Sequence, residues 1–213
     1  GDIKGVVNYA RMGNKVLGIF MIAPMAVFLV YGQDFFKLWV PDENSALIQT
    51  LALLAIISLL SGACINSVFT VFTITNRLKI NSLVILATGI ATVITNFILL
   101  KTTTLGVYVI AGVSSVYSLL RNYIFTPLYG AHCLGVKKST FYHEIITGNI
   151  CLVLNALVVF GLRHFFKGTS WITLIACCAV AGMICLIINV LIVLNRNDRL
   201  MAINYIKNKL KRV

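Results

Sequence analysis

Polar and small residues inside apolar runs are the part of this sequence that could do chemistry. Between positions 58 and 77 they recur at intervals of three or four, which predicts one face of a helix: the set is Ser58, Gly62, Asn66, Thr70, Thr73 and Arg77. Their amide and hydroxyl groups could line a cavity and hydrogen-bond a polar ligand. Small and hydroxyl residues also hold membrane helices together, so interhelical packing is the competing interpretation.

Two shorter polar sets follow in the next apolar runs. They are Thr88, Thr92, Thr95 and Asn96 in the first run, and Ser114, Ser115, Ser118, Arg121 and Asn122 in the second. Packing alone would account for either set. Arg121 differs because a guanidinium near the end of an apolar run could bind a phosphate group through two parallel hydrogen bonds. The alternative is that Arg121 snorkels to the lipid headgroups.

From these sets, nine residues are predicted to line a ligand path: Asn66, Thr70, Thr73, Arg77, Thr92, Asn96, Ser118, Arg121 and Asn122. Pro24 is predicted to act as a hinge, because a proline inside an apolar run removes one helical hydrogen bond and kinks the helix. Prolines are tolerated in many membrane helices, so an ordinary structural kink is equally consistent with the sequence.

The acidic residues all fall at termini, in loops or at the edges of apolar runs: Asp2, Asp34, Asp42, Glu43, Glu144 and Asp198. No carboxylate is therefore expected deep in the membrane for ion coupling, and none is clustered for metal-dependent transfer chemistry. The histidines share no metal-ligand spacing, and His143 beside Glu144 is predicted to be a solvated pair. The sequence predicts no catalytic residue, no metal site and no cofactor.

The elements that position these residues follow from the composition. Hydrophobic residues make up 59% of the chain and charged residues 11%, with a mean hydropathy of +0.94, whereas soluble domains carry about a quarter charged residues. The six cysteines are expected to be small buried hydrophobes. The sequence predicts an all-α bundle of six transmembrane helices, because apolar runs of membrane-crossing length recur at roughly 15–32, 46–75, 80–100, 105–129, 142–163 and 171–194.

Lys and Arg residues are unevenly divided between the two sides of this bundle. Fourteen of the 18 fall on the side of both termini, and only Lys37, Lys101, Arg163 and Lys167 fall on the other. The positive-inside rule then places both termini in the cytoplasm, and membrane topology explains the net charge of +12 better than nucleic-acid binding does. Residues 195–213 are predicted to form a basic amphipathic tail on the inner leaflet.

Several segments, taken in order, resemble the polysaccharide flippases of the multidrug/oligosaccharidyl-lipid/polysaccharide exporter superfamily, whose other branch holds the MATE drug exporters. Residues 32–41 are similar to the glycine, aromatic and Leu-Trp-Val turn after the family's seventh helix. Residues 75–79 are similar to the basic loop after its eighth helix, and 106–112 to the glycine-led start of its tenth. Residues 121–129, followed by Phe141 and Tyr142, are similar to that helix's cytoplasmic end and the next loop.

The resemblance implies that the bundle, residues 15–194, is the C-terminal half of a two-bundle, MATE-like transporter. Residues 1–14 would then be a cytoplasmic linker from the N-terminal six-helix half, which would be the bundle's partner. The whole would flip a lipid-linked oligosaccharide across the bacterial cytoplasmic (inner) membrane by alternating access, in contact with membrane lipid and without enzymatic chemistry. Two alternatives stay open, namely a MATE-type cation-coupled multidrug exporter and an integral membrane enzyme of glycan or lipid synthesis.

Overall fold

The protein is described by a computed structural model that covers residues 2–195 and 198–199. Within these residues every regular element is helical. The elements are α1 (Ile3–Trp39), α2 (Ser45–Ala63), α3 (Val68–Ile74), α4 (Leu78–Thr102), α5 (Val107–Leu120), a π-helical turn (Arg121–Phe125), α6 (Thr126–Leu134), α7 (Tyr142–Phe165) and α8 (Trp171–Val193). The tail predicted over 195–213 lies outside the described residues, apart from positions 195, 198 and 199.

Helix α1 is far longer than the predicted span 15–32. It begins after Asp2, whose side chain accepts a hydrogen bond of 2.9 Å from the Gly5 amide, so residues 3–14 are helical as well. The predicted end of this span at residue 32 was wrong, because the helix continues to Trp39. It ends just before Pro41, and a proline disfavours helical geometry in the residue that precedes it.

The predicted span 46–75 is interrupted. Its start is confirmed, because the Asn44 side chain caps α2 by accepting a 3.1 Å hydrogen bond from the Leu47 amide. Its continuity was wrong, because the chain turns at residues 64–67 and resumes as the seven-residue α3. The Ser67 amide donates to Asn14 Oδ1 of α1 at 2.8 Å. A side chain 53 positions away in the sequence therefore satisfies a backbone donor of the turn.

The remaining predicted spans coincide with helices. Spans three, five and six fall on α4, α7 and α8, and Ser170 caps α8 through a reciprocal capping box with Thr173. The fourth predicted span falls on an unbroken helical run over 107–134, made of α5, the π-helical turn and α6. Among the described residues, five helices are long and apolar enough to cross a membrane, namely α1, α2, α4, α7 and α8.

Helix α1 is the centre of the packing. It contacts α7, α8 and α2, whereas α4 packs mainly against α5. None of the most apolar 18-residue window of α4 is buried, compared with half of that of α1. Large apolar side chains such as Leu86, Val93 and Phe97 are therefore exposed on α4. A mostly apolar, exposed helix of this length is typical of a surface that contacts lipid or another membrane helix.

Candidate functional site

The turn between α2 and α3 lies directly against α1. Gly13 of α1 faces the Ser67 side chain closely enough that a Cβ at position 13 would collide with it, and Gly18 faces Cys64. The two glycines thus permit the close approach that lets Asn14, which is 1% exposed, reach the Ser67 amide. Asn14 was not among the predicted site residues, since it lay in the segment predicted to be a linker.

The predicted polar face over residues 58–77 does not exist as a single face, because α2 ends at Ala63. Asn66, Thr70, Thr73 and Arg77 are all exposed. The Thr73 hydroxyl donates to the carbonyl of Phe69 in its own helix, at 3.4 Å. Arg77 contributes its carbonyl, which accepts a hydrogen bond of 3.2 Å from the Tyr129 hydroxyl. That Asn66 and Thr70 face protein or water rather than lipid stays a prediction.

Arg121 and Asn122 open the π-helical turn, in which the Thr126 amide bonds the Arg121 carbonyl five residues back. Asn122 is 5% exposed and donates to the Ser61 hydroxyl of α2 at 3.0 Å, so its side chain takes part in helix packing. Arg121 is half-buried. Its Nε is buried without a hydrogen-bond partner among the described residues. Single-turn π segments occur frequently at functional sites.

Helices α4 and α5 contact each other through hydroxyl groups. The Thr95 and Tyr117 hydroxyls are 3.0 Å apart and share a hydrogen bond. Thr92, a predicted path residue, donates to the Thr88 carbonyl of its own helix at 2.8 Å. Asn96 and Ser118 are half-buried, and Asn96 Oδ1 is buried without a partner among the described residues. Of this predicted set, Asn96 therefore has the clearest unused hydrogen-bonding capacity.

Pro24, the predicted hinge, lies inside α1, which is assigned as helix on both sides of it. It is exposed and borders an apolar groove of about 550 Å³ between α1 and α8, together with Phe20, Met183 and Leu186. Whether α1 bends at this proline stays a prediction.

Two buried asparagines form a contact that the sequence analysis missed. Asn155 Nδ2 of α7 donates to Asn189 Oδ1 of α8 at 2.7 Å, and Asn189 Nδ2 donates to the Ile19 carbonyl of α1 at 3.1 Å. Both side chains are 0% exposed. Each asparagine lies within an apolar run of the sequence, and this was the available signal, because an amide inside a membrane needs a protein partner.

Three ion pairs were also missed. Arg11 pairs with Glu144 at 2.7 Å, Lys15 with Asp198 at 2.7 Å, and Arg163 with Asp34 at 2.9 Å. The prediction that His143 and Glu144 form a solvated pair was wrong for Glu144, whose side chain is 1% exposed. Glu144 is not solvated because the long helix α1 brings Arg11 against the first turn of α7, where Glu144 lies.

The cysteines partly match the expectation of buried hydrophobes. Cys64, Cys151 and Cys185 are buried, while Cys133, Cys177 and Cys178 are half-buried, and all six are free thiols. Among the described residues, no group of three His, Cys, Asp or Glu side chains could hold a metal ion.

Comparison with known proteins gives one informative relative. The chain is 26% identical, over 203 residues, to the uncharacterized membrane protein EpsK of Bacillus subtilis (strain 168). The matched region is 95% of this chain and 40% of that protein, so this chain spans about two fifths of the relative's length. No family model and no solved structure matches the chain. With five helices of membrane-crossing character, the chain is a multi-pass helical membrane protein.

Proposed function

We propose that this chain is the C-terminal bundle of a flippase that moves a lipid-linked oligosaccharide across the bacterial inner membrane by alternating access. The family resemblance of its loops and its helical, multi-pass architecture support this reading. The substrate of such a flippase would carry an anionic pyrophosphate. To bind this group, the membrane protein needs a cation that its own carboxylates do not neutralise.

The observation that carries the proposal is the isolation of Arg121. Arg11, Lys15 and Arg163 each lie in an ion pair with a carboxylate. Arg121 is half-buried, yet it lies in no ion pair with a described residue. A partly desolvated guanidinium without a carboxylate is available to a ligand anion, and its planar fork matches a phosphate geometrically.

Arg121 can be tested by separating its charge from its shape. In the full natural chain, Arg121→Lys keeps the charge and loses the fork, whereas Arg121→Gln loses both. We expect oligosaccharide export to be partly retained by the Lys variant and lowered at least tenfold by the Gln variant, because a charge-assisted contact contributes roughly 1.5–3 kcal/mol. The measurement is glycan export in cells at matched membrane levels of each variant.

Lys79→Gln is the matched control. It removes a cation from an exposed position at the start of α4, on the side that the sequence analysis assigns to Arg121. Export should be unchanged in this variant. Unimpaired export in Arg121→Gln would make Arg121 an interfacial anchor and remove the main support for the proposal.

The proposal also requires six crossings rather than five. The helical run over 107–134 would supply the sixth, with both ends of the chain in the cytoplasm and a second six-helix bundle as partner. No covalent chemistry is assigned to any residue.

One observation favours the MATE-type exporter as the second candidate. Glu144 is a buried carboxylate with one oxygen paired to Arg11 and the other, Oε2, without a partner among the described residues. A cation-coupled exporter needs such an acid. If transport of an organic cation driven by a proton or sodium gradient were abolished in Glu144→Gln, while glycan export was absent in the unmodified protein, the exporter would replace the flippase.

A further inference from the structure

A cavity of about 580 Å³ lies at the end of the bundle that carries both tryptophans of the chain. We call this end the tryptophan end. The cavity is formed where the last turns of α1 and α7 meet the loop before α8, and Lys37, Arg163 and Lys167 line it. Those three residues are all but one of the cations that the sequence analysis placed on this side. None of the nine residues predicted to line a ligand path, Arg121 included, lines this cavity.

The charges around the cavity are unbalanced. Arg163 is anchored, because it donates to the Val30 carbonyl and to Asp34 Oδ1, both at 2.9 Å. Asp34 therefore neutralises Arg163. Lys37 and Lys167 lie in no ion pair with a described residue, and both are exposed. The lining thus carries two uncompensated positive charges, with His164 beside them.

The cavity also has an apolar wall, formed by Leu38 and Phe160. Phe160 is 68% exposed on α7, one turn before Arg163, so the apolar part of the cavity is open to the side of the bundle. Trp39 and Trp171 lie at the same end of the bundle as the cavity. Both rings contact Phe35, with centroids 5.4 and 5.8 Å away. Exposed tryptophans are typical of the depth at which lipid headgroups meet hydrocarbon.

We propose that this cavity binds the phosphate headgroup of an anionic membrane lipid. Lys37 and Lys167 hold the phosphate, while the lipid chain lies along Phe160 and the outer surface of α7. A small soluble anion would use the lysines and leave the apolar wall without a role. The proposal is independent of glycan flipping, since it needs only a membrane that contains anionic phospholipid.

The test uses the full natural chain in phosphatidylcholine nanodiscs that contain a photo-crosslinkable phosphatidic acid. Crosslinks should map to peptides containing Phe160 or Trp171. In the double variant Lys37→Gln/Lys167→Gln, the phosphatidic acid fraction that gives half-maximal crosslinking should rise about 25-fold. This value follows from about fivefold for each basic residue at an anionic surface.

Lys79→Gln/Lys101→Gln is the matched control, because it removes the same charge from exposed lysines at the two ends of α4. It should shift half-saturation much less than the first double variant does, because neither Lys79 nor Lys101 lines the cavity. Equal shifts in the two double variants, or no shift in either, would overturn the site. Displacement of the lipid by a few millimolar inorganic phosphate would overturn its assignment to a lipid in favour of a soluble anion. Export measurements do not enter this test, so its failure leaves the Arg121 proposal intact.

Discussion

The hydrogen bonding of polar side chains differs between two regions of the bundle. In the first, α1, α7 and α8, charged and amide side chains bind one another across the helices, as in the pairs Arg11–Glu144 and Asn155–Asn189. In the second, α2, α4, α5 and the π-helical turn, helices contact each other through single hydroxyl and amide groups. Thr95 with Tyr117 is one such contact.

The two regions differ in which polar side chains keep unused hydrogen-bonding capacity. Buried polar atoms without partners occur in both regions. In the first region each belongs to a side chain that is already bonded through its other atom, as Glu144 is to Arg11 and Asn14 to Ser67. In the second region, Arg121 and Asn96 make no side-chain hydrogen bond with a described residue. A polar residue in a membrane helix thus becomes a ligand candidate by remaining unpaired, not by its position in a span.

The largest expected effect concerns the orientation of the first region. Lys137 precedes α7 and Lys167 follows it, and 24 residues separate the ends of this helix by about 36 Å. We expect Lys137→Cys and Lys138→Cys to be protected from an impermeant thiol reagent in intact cells, and Lys101→Cys and Lys167→Cys to be labelled.

The labelling experiment needs a background without the six native cysteines. Labelling after cell lysis is the control, because all four positions are exposed and should then react. Labelling of position 137 but not 167 in intact cells would show that the topology is the reverse of the predicted one. The tryptophan end would then face the cytoplasm.

The second effect tests whether the ion pairs hold the first region together. Glu144→Ala leaves Arg11 without its carboxylate and should lower the free energy of unfolding by about 2 kcal/mol. This is less than the roughly 3–5 kcal/mol of a fully buried pair, because the Arg11 side chain is 35% exposed. Thermal unfolding in detergent measures the change. Glu43→Ala, at an exposed loop position, should have almost no effect, and equal melting of the two variants would refute the role of the pair.

A third, smaller effect is expected at the asparagine contact. Asn189→Leu removes two hydrogen bonds and leaves the Asn155 amide buried without a partner among the described residues. We expect a loss of about 1–2 kcal/mol, since interhelical hydrogen bonds in membranes are individually weak. The exposed Asn8→Leu is the matched control. A more stable Asn189→Leu variant would mean that this contact exists for function rather than for stability.

Features determined by nearby residues were predictable from the sequence. The apolar runs predicted an all-helical chain, and the starts of α2 and α8 fall within a residue of their predicted positions because capping residues are local. The turn in 64–67 was not predictable, since the Asn14 side chain that meets it belongs to another helix. Periodicity also cannot distinguish Asn122, which donates to Ser61, from Arg121, whose side chain makes no hydrogen bond with a described residue.

The smallest effect concerns the pair that ties α1 to the segment after α8. The hydrogen bond from Lys15 lowers the pKa of Asp198 below its ordinary value, so the folded protein holds this carboxylate ionised more strongly than the unfolded chain does. The resulting stabilisation is present above the ordinary Asp pKa of about 3.9 and is lost as the pH falls through the lower folded value.

Asp198→Asn should therefore lower the free energy of unfolding by about 0.5–1 kcal/mol at neutral pH. In denaturant titrations, its difference from the unmodified protein should stay constant between about pH 8 and 5 and shrink below about pH 4. Asp42→Asn, in an exposed loop, should show no such difference. A cost in Asp198→Asn that persists unchanged at pH 3 would mean that the side chain acts through its shape rather than its charge.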